Sequence, residues 1–133
     1  MQIKLEHIYY NDVKLKVESL DKNITTKLQT TLNFKSEIIK DEELNKFAVH
    51  FLLNLKNKNF DLAVNSVAIF LTDVKLESEF LDSAFCNINA PAIAFPYIRT
   101  YVSNLTLNSG FNPIILPSFN FVNLHKEKSK KVE

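Results

Sequence analysis

Residues 91–121, PAIAFPYIRTYVSNLTLNSGFNPIILPSFNF, constrain this chain more than any other stretch. The four prolines (Pro91, Pro96, Pro113 and Pro117) all fall there, and so does the only glycine, Gly110. Pro91 suits the first turn of a helix, where a missing N–H costs nothing. Pro96 follows within the first turns and predicts a bent axis. Beyond it Tyr97, Ile98, Tyr101, Val102 and Leu105 recur at helical spacing and form an apolar stripe. Gly110 stands where a left-handed C-cap is wanted, and Pro113 forbids further helix nearby. Residues 110–121 are therefore predicted to run on extended, rich in apolar side chains. A helix with such a stripe needs a surface to cover.

The upstream sequence offers that surface as strands. Residues 2–18 alternate, with a break at Asn11-Asp12 that reads as a bend or a tight turn. The polar residues 19–26 form a connection. From Lys27 the period is two, with Leu28, Leu32, Phe34 and Ile38 on one face. After the turn at 40–45, a third strand places Phe47, Val49, Phe51, Leu53 and Leu55 inward. KNKN at 56–59 makes a hairpin with no glycine to help it. The fourth strand, 60–72, becomes continuously apolar at Val67–Leu71, which predicts burial on both faces. One face would meet the helix; the other needs a second sheet or another copy of the chain. Residues 75–86 carry Leu76, Phe80, Leu81, Ala84 and Phe85 at helical spacing, and Asn87-Ile88-Asn89 is expected to break that short helix. The pattern is one α+β domain over 1–124, followed by a disordered basic tail at 125–133.

Composition removes several function classes. One glycine in 133 residues cannot build a Gly-rich phosphate loop, which needs several close approaches of backbone to phosphate. The single cysteine, Cys86, allows no internal disulfide and reads as a small core hydrophobe, so a cytoplasmic home is expected. No signal-like or membrane-spanning apolar run is present. The net charge of +1 gives no electrostatic case for nucleic acid. His7, His50 and His125 stand in no metal motif, Asp41-Glu42-Glu43 reads as a solvated turn, and no catalytic constellation or cofactor site emerges. The chain is not read as an enzyme. Eleven phenylalanines and four tyrosines are more than a small core easily holds. Phe111, Ile114, Ile115, Leu116, Phe119 and Phe121 concentrate in a segment that prolines keep out of a sheet. That segment either wraps the core or lines an exposed apolar groove.

The run P-A-I-A-F-P-Y-I-R at 91–99, the G-F at 110–111 and the P-S-F-N-F at 117–121 together resemble the C-terminal half of the SecB family of protein-export chaperones. The matching positions are Pro91, Phe95, Pro96, Tyr97 and Arg99, then Asn120 and Phe121, with Ser118 where the family has a second proline. Gln2 to Asp12 is similar to the family's first strand, and Ala68-Ile69-Phe70 falls where its fourth strand ends. The resemblance implies a four-stranded antiparallel sheet with a long helix on one face, assembled as a dimer of dimers. It also implies a holdase that binds unfolded precursor proteins in long apolar grooves without any cofactor. By position, Ile24, Leu28, Phe111, Ile114, Ile115, Phe119 and Phe121 would line the groove. In the family, acidic residues on the outer sheet face dock the tail of the SecA motor. Asp12 matches one such position, but the next is Lys16 here, and another falls at Ala63 with Asp61 two residues away. The family's C-terminal helix and acidic end are expected to be replaced here by a short lysine-bearing tail. A SecB-like chaperone dedicated to one partner, such as an antitoxin, is the alternative expectation.

Overall fold

The structure, a computed structural model, describes residues 1–21 and 28–132, with backbone alone for 128–132. Four strands, β1 (Ile3–Val17), β2 (Gln29–Ile38), β3 (Lys46–Lys56) and β4 (Phe60–Thr72), form one antiparallel sheet in the order β1-β4-β3-β2. A 3-10 turn (Ser78–Asp82) and a π turn (Phe85–Asn89) lead into the long helix α1 (Ala90–Asn108), and a second helix, α2, covers Phe121–Val132. This is the expected α+β architecture.

The break at Asn11-Asp12 is no turn. β1 runs through it, with register shifts between Leu5 and His7 and between Tyr10 and Asp12. Each extra residue bends and twists the strand locally while the pairing resumes beyond it. The shifts keep the apolar set on one face: Leu5 opposes Phe70, Ile8 opposes Ala68, Tyr10 opposes Ser66 and Val13 opposes Val64. In β3 the inward residues Phe47, Val49, Phe51, Leu53 and Leu55 are all buried. Burying a side chain of that size stabilises the fold by roughly 1.5–3 kcal/mol relative to exposing it. On the opposite face Val67 is also buried, at 2% exposure, in register between Tyr9 of β1 and His50 of β3. Neighbours on its own sheet thus cover Val67, and this side chain by itself does not require a second copy of the chain.

Different elements cover different parts of the inner face. Phe80 of the 3-10 turn lies edge-on to Phe47, with ring centroids 4.7 Å apart. α1 buries Ala94, Phe95, Ile98 and Val102, and Tyr101 stacks on Tyr10 at 3.8 Å. Phe111, beyond the helix, packs on Phe60 at 5.1 Å.

Two local structures differ from the sequence reading, at 75–86 and at 125–132, while the hairpin at 56–59 is as expected but closed by a side chain. The expected helix over 75–86 is a 3-10 turn followed by a π turn. Asn87 does not break it: its side-chain amide donates to the carbonyls of Leu81 (2.8 Å) and Ser83 (2.9 Å), and the backbone passes straight into α1. The hairpin without glycine closes on Asn57, whose Oδ1 accepts from the N–H groups of Asn59 (2.8 Å) and Phe60 (3.0 Å). An Asx side chain replaces a backbone turn here. Residues 125–132, expected as a disordered tail, are helical. Asn120 caps α2 by accepting the Asn123 N–H at 3.1 Å on its side chain, and Phe121 anchors the first turn in the core.

The C-terminus of α1 is as the lone glycine predicts. Gly110 has φ +98, its N–H donates to Leu107 O at 3.3 Å, and the Phe111 N–H donates to Thr106 O at 3.1 Å. This double closure is a Schellman motif, which needs a left-handed residue at the glycine position.

Candidate functional site

Residues 111–120 are extended and separate two apolar grooves. α1 fixes this segment at one point: Ser103 Oγ donates to Ile114 O at 2.6 Å, and the Ile114 N–H donates to Thr106 Oγ1 at 2.9 Å. Leu116 is fully buried beside this clamp, while Ile115, on the opposite side of the extended backbone, is 77% exposed.

The first groove, about 460 Å³, lies between this segment and the far end of the sheet. Leu28, Phe60, Phe111 and Ile114 give it apolar walls, and Leu20, Asp21, Asn57 and Asn59 close it. Asn59 builds the closed side. Its carbonyl accepts from the N–H groups of Glu18 and Ser19, and its amide donates to Asp21 O at 2.9 Å. Its Oδ1 accepts from Ser19 Oγ at 2.9 Å. The connection leaving β1 is thereby tied to the β3–β4 turn, which places Leu20 at the mouth.

The second groove, about 430 Å³ and shallower, lies at the other end of the segment. Ile88 of the π turn and Ala92 of α1 form one side; Ser118, Phe119, Asn120, Phe121 and Val122 form the other. Aromatic packing makes its floor: Phe119 meets Phe95 edge-on at 4.9 Å, and Phe121 meets Phe95 at 6.0 Å and Phe34 at 5.7 Å. Pro96 has no N–H to offer the Ala92 carbonyl, so the lip of this groove carries an acceptor that lacks its i→i−4 partner. Among the described residues, no ionisable side chain lines it.

The residues expected to share one site are thus divided. Leu28, Phe111 and Ile114 line the first groove, and Phe119 and Phe121 the second. Phe121 is 6% exposed and belongs mainly to the core. Ile115 lines neither groove, and Ile24 lies outside the described residues. The sequence reading missed Leu20, hidden in a polar connection, and Ile88, whose role depends on a π turn that periodicity does not signal.

On the outer sheet face, Asp12 has Lys14 at 3.8 Å, and Asp61 stands in register between Lys16 and Lys56. Each candidate acid is accompanied by lysine. His50 Nε2 lies 2.8 Å from Glu37 Oε1 on the same face. Among the described residues, no group of three or more His, Cys, Asp or Glu could hold a metal ion, and no helix is long and apolar enough to cross a membrane.

A family model described as preprotein translocase subunit SecB matches residues 1–132. The chain belongs to the SecB family. Among its relatives, protein-export protein SecB 1 of Francisella tularensis subsp. novicida is 27% identical over 139 residues, covering 98% of this chain and 91% of that protein. The protein-export protein SecB of Nitrosospira multiformis is 26% identical over 136 residues, covering 97% and 84%. Among solved structures, the SecB-like chaperone of Mycobacterium tuberculosis, in complex with a peptide from an antitoxin, superposes with a TM-score of 0.67. It is 19% identical, and the match covers 89% of this chain and 90% of that one. The likeness bears out the sheet-and-helix fold, and the family assignment makes this chain a SecB-family chaperone.

Proposed function

We propose that the chain holds non-native polypeptide segments in its two grooves, as a holdase on the protein-export route. The observation that carries this reading is the placement of two open grooves with apolar walls at the two ends of one extended segment, with Ile115 exposed between them. A client crossing both grooves meets Leu28, Phe60, Phe111 and Ile114 in the first and Ile88 and Phe119 in the second. Such contacts are individually weak and need no fixed sequence, which suits a partner that has not yet folded. Holding a chain in this way requires no bond to be made or broken.

Self-association to a homotetramer belongs to the same proposal. On α1, Ile93 (40% exposed), Tyr97 (57%) and Leu107 (54%) form an apolar stripe that the other described residues leave uncovered. Light scattering on the purified protein tests the assembly.

A second reading, service to one dedicated partner such as an antitoxin, is favoured by the outer face. With Lys14, Lys16 and Lys56 beside Asp12 and Asp61, that face is no acidic surface for a SecA tail. Aggregation assays on several unrelated unfolded clients separate the two. Suppression of most of them at stoichiometric amounts is expected for the holdase; suppression of a single one supports the dedicated reading. A monomer that suppresses none would sink both.

A further inference from the structure

From Ser83 to Leu124 the chain carries one charged side chain, Arg99. That run contains the π turn, α1 and the whole extended segment, so the elements that join the two grooves are otherwise neutral. Arg99 is half-buried, and among the described residues its side chain forms no salt bridge and no hydrogen bond. A guanidinium offers five N–H donors and keeps its charge, so it calls for an acceptor wherever water is partly withdrawn.

The register of α1 says where that charge lies. At about 100° per residue, Ala92, Phe95, Arg99, Ser103 and Thr106 fall within roughly 80° of one another, with Arg99 near the middle of the arc. A contact places each of the other four on this face. Ala92 lines the second groove, Phe95 packs on Phe119, and Ser103 and Thr106 hold Ile114. Arg99 therefore lies on the face of α1 that the extended segment crosses, one turn from Phe95 and one turn from Ser103, about 6 Å from each along the axis. The segment passes this level between Ile114, at the first groove, and Phe119, at the second, and exposes Ile115 on the way. Residues 111–120 hold no acid to meet the guanidinium.

Resting on the client reading above, we propose that Arg99 binds a side-chain carboxylate of the bound segment, so that preferred clients carry an aspartate or glutamate between two apolar stretches. From Ile114 to Phe119 an extended chain spans about 16 Å at a rise of ~3.3 Å per residue. An acid near the middle of a client of that span reaches Arg99 while its apolar neighbours enter the grooves. A carboxylate matches the planar fork of the guanidinium in two parallel N–H···O bonds, and partial burial strengthens the pair relative to one in open water. The grooves themselves offer no competing cation among the described residues: the first has the acid Asp21 in its lining, and the second has no ionisable side chain.

The test uses the full chain and two labelled peptides with amidated C-termini, identical except for a central Asp in one and Asn in the other. Fluorescence anisotropy at low salt is expected to show the Asp peptide bound on the order of five- to tenfold more tightly, the gap narrowing as salt rises. Arg99→Gln is expected to bring the Asp peptide down to the affinity of the Asn peptide. Arg99→Lys, which keeps the charge but loses the fork, is expected to retain part of the gap. Equal affinity of the two peptides for the native chain, a result that needs no variant to fold, would overturn the proposal and leave the client reading standing. A gap that survives Arg99→Gln would overturn it as well. Loss of the gap together with a fall in assembled mass by light scattering would assign the guanidinium to a contact between copies of the chain, and likewise overturn it. Binding of neither peptide would remove the client reading, and this proposal with it.

Discussion

The two grooves lie at the two ends of one extended segment but are built by different forces. In the first, side-chain amides do the work: Asn57 closes the hairpin, and Asn59 ties it to the connection after β1. In the second, phenylalanines do: Phe34, Phe95, Phe119 and Phe121 pack edge to face beneath it. A groove propped by hydrogen bonds at its rim leaves Leu28, Phe111 and Ile114 half-buried above the buried Phe60. A groove floored by the core shares residues with the fold. Mutations should therefore separate binding from stability in the first groove and confound them in the second.

The most severe test of that contrast is Phe121→Ala. It removes a buried ring from beneath the second groove and is expected to cost about 3–5 kcal/mol in denaturant unfolding. A loss below about 1 kcal/mol would mean that this floor is not core. Gly110→Ala comes next. A Cβ there meets nothing within 4 Å, so the cost is the left-handed backbone alone, about 1–2 kcal/mol. Asparagine at the same position, which tolerates that conformation better, should recover part of it.

In the first groove, Phe111→Ala is expected to weaken binding of an unfolded client about tenfold, or about 1.4 kcal/mol, with the far-ultraviolet spectrum unchanged. An unfolded variant would place Phe111 in the core alongside Phe121 and erase the distinction. A smaller effect concerns Tyr10, outside both grooves. Burial, helped by Tyr101, pushes its phenol up from 10.0 to about 12. The neutral form is favoured in the folded state, so this contribution is intact below pH 10 and is lost as the pH rises toward 12. Stability followed across that window should fall less steeply in Tyr10→Phe. The smallest effect is expected at Ile115, whose replacement by Asp should shift stability by no more than about 0.5 kcal/mol, because the side chain is already in water. A fall in client affinity there would show that a bound segment crosses from one groove to the other.

Much of this was legible in the sequence. Alternation located all four strands, because one buried face imposes a period of two whatever lies above it. Gly110 located the end of α1, because only glycine takes that backbone without strain. The motif over Pro91–Arg99 pointed to the family. What misled was local chemistry overruled by distant partners. Asn11-Asp12 read as a bend or a tight turn, and pairing with β4 carries the strand through it as a bulge, which excludes the turn. Asn87 looked like a breaker, yet it bonds the carbonyls of Leu81 and Ser83. The lysine-rich end looked disordered, yet Asn120 and Phe121 give it a cap and an anchor.

The same division applies to residues 91–121. Its composition alone determined that a proline-bearing helix must stop at Gly110 and that an apolar extended stretch must follow. Composition could not say which of those apolar residues face water. Ile115 and Leu116 are adjacent and nearly identical in hydrophobicity, but one is 77% exposed and the other 1%. The difference comes from two hydrogen bonds between Ile114 and α1, which fix the rotation of the extended backbone and send consecutive side chains to opposite sides. Those bonds join residues eight and eleven positions apart, and only the folded helix brings them together.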